Sequence, residues 1–206
     1  NITLFSPKDV PELYDSFFTD QDKFKELYEA AERKTSIRKK SIPAIDLFSA
    51  FVQERKDTGR IYLMNVDHAN THGAFIEDVA PIKQSNLCCE IDLPTKPLTH
   101  INDEEGEISL CTLSAVNWGV IKDFEEMNKV CKLAVRGLDE LLDYQSYPVL
   151  AAELSTMKRR PLGIGIINFA YWMAKNGMTY QEPNLELIDE WAEAWSYSLI
   201  KASIKL

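Results

Sequence analysis

The chain has 206 residues, 45% hydrophobic, 27% charged and 10% aromatic. That composition excludes a disordered chain and leaves room for one large domain or two small ones. Its 23 basic and 32 acidic residues give a net charge of −9, which repels phosphate backbones, so no DNA or RNA polymer is expected as a partner. Residues 1–60 carry 11 charges of each sign, so the acidic excess lies beyond Arg60. Four cysteines (Cys88, Cys89, Cys111 and Cys131) are too few for a disulfide framework. No apolar run approaches the ~18 residues that span a bilayer, so a cytoplasmic chain without membrane contact is expected. Asn1 stands where a Met would start the chain, and the last helical pattern runs up to Leu206. Both features lead us to expect a piece of a longer protein.

The first sixty residues read as helices. Ser6-Pro7 predicts a cap and first helical position, with Asp9 and Glu12 in the first turn. A second helix is expected from Asp20 to about Arg33, and the basic stretch Arg33 to Lys40 as a solvated connection. Ser41 then caps a third helix, with Ile45, Phe48 and Val52 on one face, ended by Thr58-Gly59. Ile61 to Val66 reads as a short strand, and 67–82 as polar and irregular. Ser85 to Leu93 is extended in character and stops at Pro94. Ile108 to Leu113 is another short apolar run, followed by Ala115 to Ile121.

Helical patterning returns after Lys122. Phe124, Met127, Cys131, Ala134, Leu138 and Leu141 step by 3 and 4 along one face. Leu162 to Lys175 is apolar nearly all round, which predicts a buried helix ended by Asn176-Gly177. Leu185, Ile188, Ala192, Trp195, Leu199 and Ala202 repeat the stepping in the last helix. There is no internal repeat and no flexible linker. Helices at both ends enclose a middle third of short strands and loops, so the expected class is α/β.

Two spacings mimic known motifs. His68 and His72 stand at i, i+4, but Ala69 occupies the place of the metalloprotease glutamate, and Asn70 and Gly73 argue for a loop. No metal site is expected there. Gly163-Ile164-Gly165 lacks the third glycine of a dinucleotide fingerprint and follows Arg159-Arg160-Pro161 where a strand is required. Cys131 lies on an apolar stripe and reads as a small buried hydrophobe. The run Ser85-Asn86-Leu87-Cys88-Cys89-Glu90-Ile91 is more informative. If it is extended, Asn86, Cys88 and Glu90 project to one side, about 7 Å apart, and Leu87, Cys89 and Ile91 to the other. On the residues alone two readings stand: a covalent thiol site, or a strand with one polar face. A Cys/His nucleophile would need a nearby base, and no histidine partner is evident.

The stretches SNLCCEIDLPTKPL (Ser85 to Leu98) and GEISLCTLSAVNWG (Gly106 to Gly119) resemble the large catalytic subunit of class I ribonucleotide reductase. So do NITLFSPKDVPELYD at the start, TGRIYLMNVDHANTH, LDELLDYQSYPV and RRPLGIGIINFAYWMAK. The similarity spans essentially the whole chain and is strongest to the enterobacterial and phage type. It implies part of a ten-stranded α/β barrel, helix-rich with short strands. All of 1–206 would be a single fragment of that barrel, with a finger loop at about 80–98, lacking the N-terminal allosteric domain and the C-terminal tail.

By the same resemblance, Cys88 is the radical cysteine, and Asn86 and Glu90 are the hydrogen-bonding amide and carboxylate of the catalytic set. Cys111 is one member of the redox-active thiol pair. Asn86, Leu87, Cys88, Cys89, Glu90 and Leu113 line the substrate site, with Cys89 a chemical bystander. The implied reaction replaces the 2′-hydroxyl of a ribonucleoside diphosphate with hydrogen. Cys88 abstracts the 3′-hydrogen, Glu90 accepts the 3′-hydroxyl proton, and Asn86 orients the ribose hydroxyls. Cys111 and a second thiol finish as a disulfide. No cofactor is expected in the chain itself. The implied partners are a metal-containing, radical-generating small subunit, a thioredoxin- or glutaredoxin-type dithiol reductant, a second large subunit, and a complementary fragment of the same subunit. The alternative is a non-catalytic fragment or interaction module that keeps the fold. Glu90, set between Cys89 and Ile91, is expected to be buried.

Overall fold

A computed structural model describes residues 1–206 and divides them into two compact units, Asn1–Thr95 and Lys96–Leu206. The fold is mixed α/β and helix-rich. Its strands form two separate two-stranded sheets, so these residues close no barrel among themselves.

The first unit opens with a strand that helical patterning hides. β1 (Ile2–Phe5) pairs antiparallel with β2 (Lys39–Ile42), Ile2 opposite Ile42 and Phe5 opposite Lys39. Ser6 to Asp9 is therefore a turn, closed by the Asp9 N–H on the Ser6 carbonyl. The first helix, α1 (Pro11–Thr19), starts at the second proline rather than the first. α2 (Gln21–Arg33) follows the expected span, its N-terminus capped by the Asp20 carboxylate on the Lys23 N–H at 2.9 Å. β1 is tied to α2: the Tyr28 hydroxyl accepts from the Thr3 N–H, and the Thr3 hydroxyl donates to Glu32, both at 2.6 Å.

The basic stretch is not merely solvated. Lys39 Nζ donates to the carbonyls of Ala31 (3.2 Å), Lys34 (2.7 Å) and Glu32, placing a cation at the negative end of α2. Ser41 lies in β2, so α3 (Ala44–Thr58) is entered through Pro43. It ends as expected at Gly59, whose φ of 66° is left-handed. Ile45, Phe48 and Val52 on α3 are exposed. Residues 61–65 form no strand, because no partner chain of hydrogen bonds runs beside them. A six-residue helix, α4 (Val66–Thr71), replaces the expected irregular stretch.

The second unit holds the large core. β3 (Leu113–Asn117) pairs in parallel with β4 (Gly163–Ile167), Leu113 opposite Gly163. The apolar run from Leu162 is thus a strand followed by a short helix, α7 (Phe169–Lys175), broken at Asn168 with φ 63°. Three β-branched isoleucines favour extended backbone there, and a parallel strand reads as a continuous apolar run. α5 (Phe124–Tyr144) buries Met127, Cys131, Val135, Leu138 and Leu142, so the stripe ends on Leu142 rather than Leu141. α6 (Leu150–Arg159) is a helix the periodicity did not announce. α8 (Leu185–Ile204) packs Ile188, Trp191, Trp195 and Leu199 against Trp118, Trp172 and Met173. The indoles of Trp118 and Trp172 meet edge to face, centroids 5.3 Å apart. No helix is long and apolar enough to cross a membrane.

Candidate functional site

The segment carrying Cys88 is a turn, not a strand. Asn86 opens it and Cys89 closes it, with the Cys89 N–H on the Asn86 carbonyl at 3.0 Å. Asparagine suits the first turn position because its side chain can hydrogen-bond to backbone beyond the turn. Asn86 Oδ1 accepts from the N–H groups of Glu90 and Ile91, each at 3.1 Å. Its Nδ2 donates to Glu90 Oε1 at 2.7 Å. One amide thus satisfies backbone donors that neither helix nor sheet supplies and holds the carboxylate as well. Ser85 Oγ closes the neck of the turn by donating to the Ile91 carbonyl at 2.8 Å.

This corrects the expected alternation. A straight strand would hold Asn86 and Glu90 about 13 Å apart, with Cys88 about 7 Å from each; wrapping through the turn brings their polar atoms into contact instead. The chain makes the wrap partly through Cys89, whose φ of 59° is left-handed. Cys88 and Leu87 lie at the tip, and both are exposed. Glu90 is exposed too, against the expectation of burial, while Cys89 and Ile91 on either side of it are half-buried.

Cys89 is half-buried at the edge of a cavity of about 310 Å³ lined by Leu63, His68, His72 and Asp92. His68 is helical, against the expected loop, and His72 follows just past the C-terminus of α4, their rings 5.4 Å apart. No group of three or more His, Cys, Asp or Glu side chains is placed to hold a metal ion.

A residue absent from the sequence-based site is Asn70. It is 6% exposed on α4. Its Oδ1 accepts from the Ile82 N–H at 2.7 Å, and its Nδ2 donates to the carbonyls of Ile82 (2.9 Å) and Val66 (2.8 Å). The amide therefore anchors the strand-like approach to the Cys88 turn. A buried amide within the polar run 67–72 gives no periodic signal that could have revealed it.

The remaining expected residues lie in the second unit. Cys111 is exposed on the irregular lead-in to β3. Leu113 is 54% exposed, and it leans over Gly163, where an added Cβ would come within 2.5 Å of its Cδ2. Glycine at 163 keeps that position of Leu113 open. Cys131 is fully buried in the core, and burial pushes its thiol up to about 11. It is a packing group, as its stripe implied.

The family model described as ribonucleotide reductase, barrel domain, matches residues 1–206. The chain is 58% identical over 206 residues to the ribonucleoside-diphosphate reductase subunit alpha of Haemophilus influenzae. It is 56% identical over 207 residues to the ribonucleoside-diphosphate reductase 1 subunit alpha of Escherichia coli. To the ribonucleoside-diphosphate reductase subunit alpha of Enterobacteria phage T4 it is 49% identical over 211 residues. Each match covers all of this chain and 27% of the relative, so the chain spans about a quarter of the length of these curated relatives.

Proposed function

The chain belongs to the ribonucleotide reductase barrel-domain family, and on that premise we propose that it is the catalytic core segment of a ribonucleoside-diphosphate reductase alpha subunit. The observation that carries this reading is the turn at Asn86 to Glu90: an exposed thiol at the tip, flanked by an amide and a carboxylate in direct contact at 2.7 Å. We read residues 80–98 as the finger loop of a single barrel fragment spanning 1–206.

A ribose C–H is too weak an acid for base chemistry, so a hydrogen atom is removed. Cys88, as its thiyl radical, takes the 3′-hydrogen and becomes a thiol. Glu90 takes the 3′-hydroxyl proton, and the 2′-hydroxyl leaves as water. Asn86 holds Glu90 and presents its amide to the ribose hydroxyls. Cys111 and a second thiol supply two electrons and two protons and end as a disulfide, after which Cys88 returns its hydrogen to C3′. The buried Cys131 does not fit the role of that second thiol, so we assign it to a part of the subunit other than these 206 residues. Leu87, Cys89 and Leu113 complete the substrate surface as uncharged contacts. The radical comes from a metal-containing small subunit and the reducing equivalents from a thioredoxin- or glutaredoxin-type dithiol, in the cytoplasm. In the complete subunit we place this segment in a homodimer, or beside a complementary fragment.

A chimeric subunit tests the reading: these 206 residues replace the aligned stretch of the Haemophilus influenzae relative. With small subunit and dithiol it should form deoxyribonucleoside diphosphates, while the isolated chain forms none. A folded chimera without turnover, or turnover by the isolated chain, contradicts the proposal.

A further inference from the structure

Glu107 stands four residues before Cys111 and is 6% exposed. Three cations surround its carboxylate: Arg159 Nη2 at 2.7 Å, Lys158 Nζ at 3.2 Å and Lys96 Nζ at 3.5 Å. Burial alone would push the carboxyl up, but the hydrogen bonds and charges of Arg159 and Lys158 overcome it and hold the group below its usual value. Glu107 is also paired through its backbone, exchanging both N–H to carbonyl bonds with Lys96 at 3.1 Å. The loop between them is closed by Asp103, which accepts from the Thr99 N–H and hydroxyl and from the Glu105 N–H.

The other end of the segment is fixed as well. The Gly163 N–H donates to the Thr112 carbonyl at 2.9 Å, and the β3–β4 register starts one residue later. Arg159 ends α6 and Gly163 starts β4, so both anchors of the stretch from Glu107 to Thr112 sit on one short piece of chain. Cys111 lies between the anchors with its side chain exposed. Direct electrostatic action on the thiol is weak, since four extended residues span about 13 Å and the screening length is about 8–10 Å.

We propose that Glu107 is a positioning residue: gripped by Arg159, Lys158 and Lys96, it fixes the frame from which Cys111 presents its thiol. This rests on the reading of Cys111 as a redox thiol, and it predicts a local, selective effect rather than general loosening.

The test is the alkylation rate of each thiol in the 206-residue chain, read by iodoacetamide pulses and peptide mass spectrometry. Glu107→Gln should raise the Cys111 rate about threefold or more while the Cys88-Cys89 peptide and Cys131 stay within about 1.5-fold, because only the local opening equilibrium moves. Arg159→Met should do the same, and the double variant should add nothing further, since the two share one interaction. If Glu107→Gln does not fold, Lys158→Gln takes its place with a smaller rise expected. An unchanged Cys111 rate in a folded variant, strict additivity, or all thiols rising together overturns the proposal. Failure of the redox reading is seen separately, as dithiol-dependent turnover that survives Cys111→Ser in the chimeric subunit.

Discussion

Five of the nineteen buried hydrophobic residues lie in the first unit, and the rest, including Trp118, Met127 and Trp172, lie in the second. The first unit instead relies on single polar anchors: Asn70 on Ile82, Asn86 on Glu90 and Ile91, Ser85 on Ile91. The second combines an aromatic core with buried or half-buried ion clusters at Glu107 and Arg160. The exposed Cys88 thiol is carried on a turn defined by hydrogen bonds, whereas a packed core supports the β3–β4 sheet. Loops shaped this way open locally at lower free energy than a core does. The lesson is that geometry at the Cys88 turn depends on a few amides rather than on buried area.

A large expected effect bears on the turn's chemistry. Glu90→Gln in the chimeric subunit keeps the contact with Asn86 but cannot accept a proton, so kcat should fall about 10²–10⁴-fold, or roughly 3–5 kcal/mol. Substrate Kd should change far less. Weakened binding at unchanged kcat would make Glu90 a positioning group.

Next comes the core. Met127→Ala, at a fully buried site, should cost about 2–5 kcal/mol in the second unit. Denaturant unfolding followed by tryptophan fluorescence measures it, since Trp118, Trp172, Trp191 and Trp195 all lie there. Hydrogen exchange at the Cys88 turn should not change, and acceleration there would blur the contrast between the units.

Asn70→Ala should be smaller, about 1–3 kcal/mol, the cost of leaving buried backbone groups at Ile82 without partners. Amides of Cys89, Glu90 and Ile91 should exchange faster while β3 and β4 keep their protection. Equal acceleration in both units would remove the special role of that anchor.

The mildest effect is acid sensitivity. The Thr99 N–H beside Asp103, the Arg160 hydrogen bond on Asp143, and the cations that outweigh burial at Glu107 hold these carboxyls below their usual values. All three lie in the second unit. Because the folded values are depressed, the stability they contribute is present above about pH 4–4.5 and lost as pH falls through the folded values. Tryptophan fluorescence against pH should show this loss, and Glu107→Gln should flatten it. A dependence of unfolding free energy on pH as steep in the variant as in the unchanged chain contradicts this.

Much of the fold was legible where periodicity and caps agree. α2 spans Gln21–Arg33 close to the expected Asp20 to Arg33, Gly59 ends α3, and Ile188, Ala192, Trp195 and Leu199 of the α8 stripe pack as their spacing implies, while Leu185 is exposed. The failures have physical causes. β1 and β2 are four residues each and pair across more than thirty residues, so no local pattern marks them. The glycine-isoleucine run reads alike as buried helix or parallel strand, and only Leu113 opposite Gly163 decides it. Of the candidate site, the residue types were readable but the turn was not. Two side-chain-to-backbone bonds on Asn86 override the extended preference of its neighbours, a tertiary effect without sequence period.

The central claim is that Cys88, at the tip of the turn, is the thiol that reacts, and Cys89, turned toward the cavity of His68 and His72, is not. The most direct measurement is deoxyribonucleoside diphosphate formation by the chimeric subunit carrying Cys88→Ser or Cys89→Ser, with small subunit and dithiol present. An O–H bond is too strong to yield the radical, so Cys88→Ser should form no product while Cys89→Ser retains most of the turnover. Substantial turnover by Cys88→Ser, or its loss only in Cys89→Ser, would contradict the account.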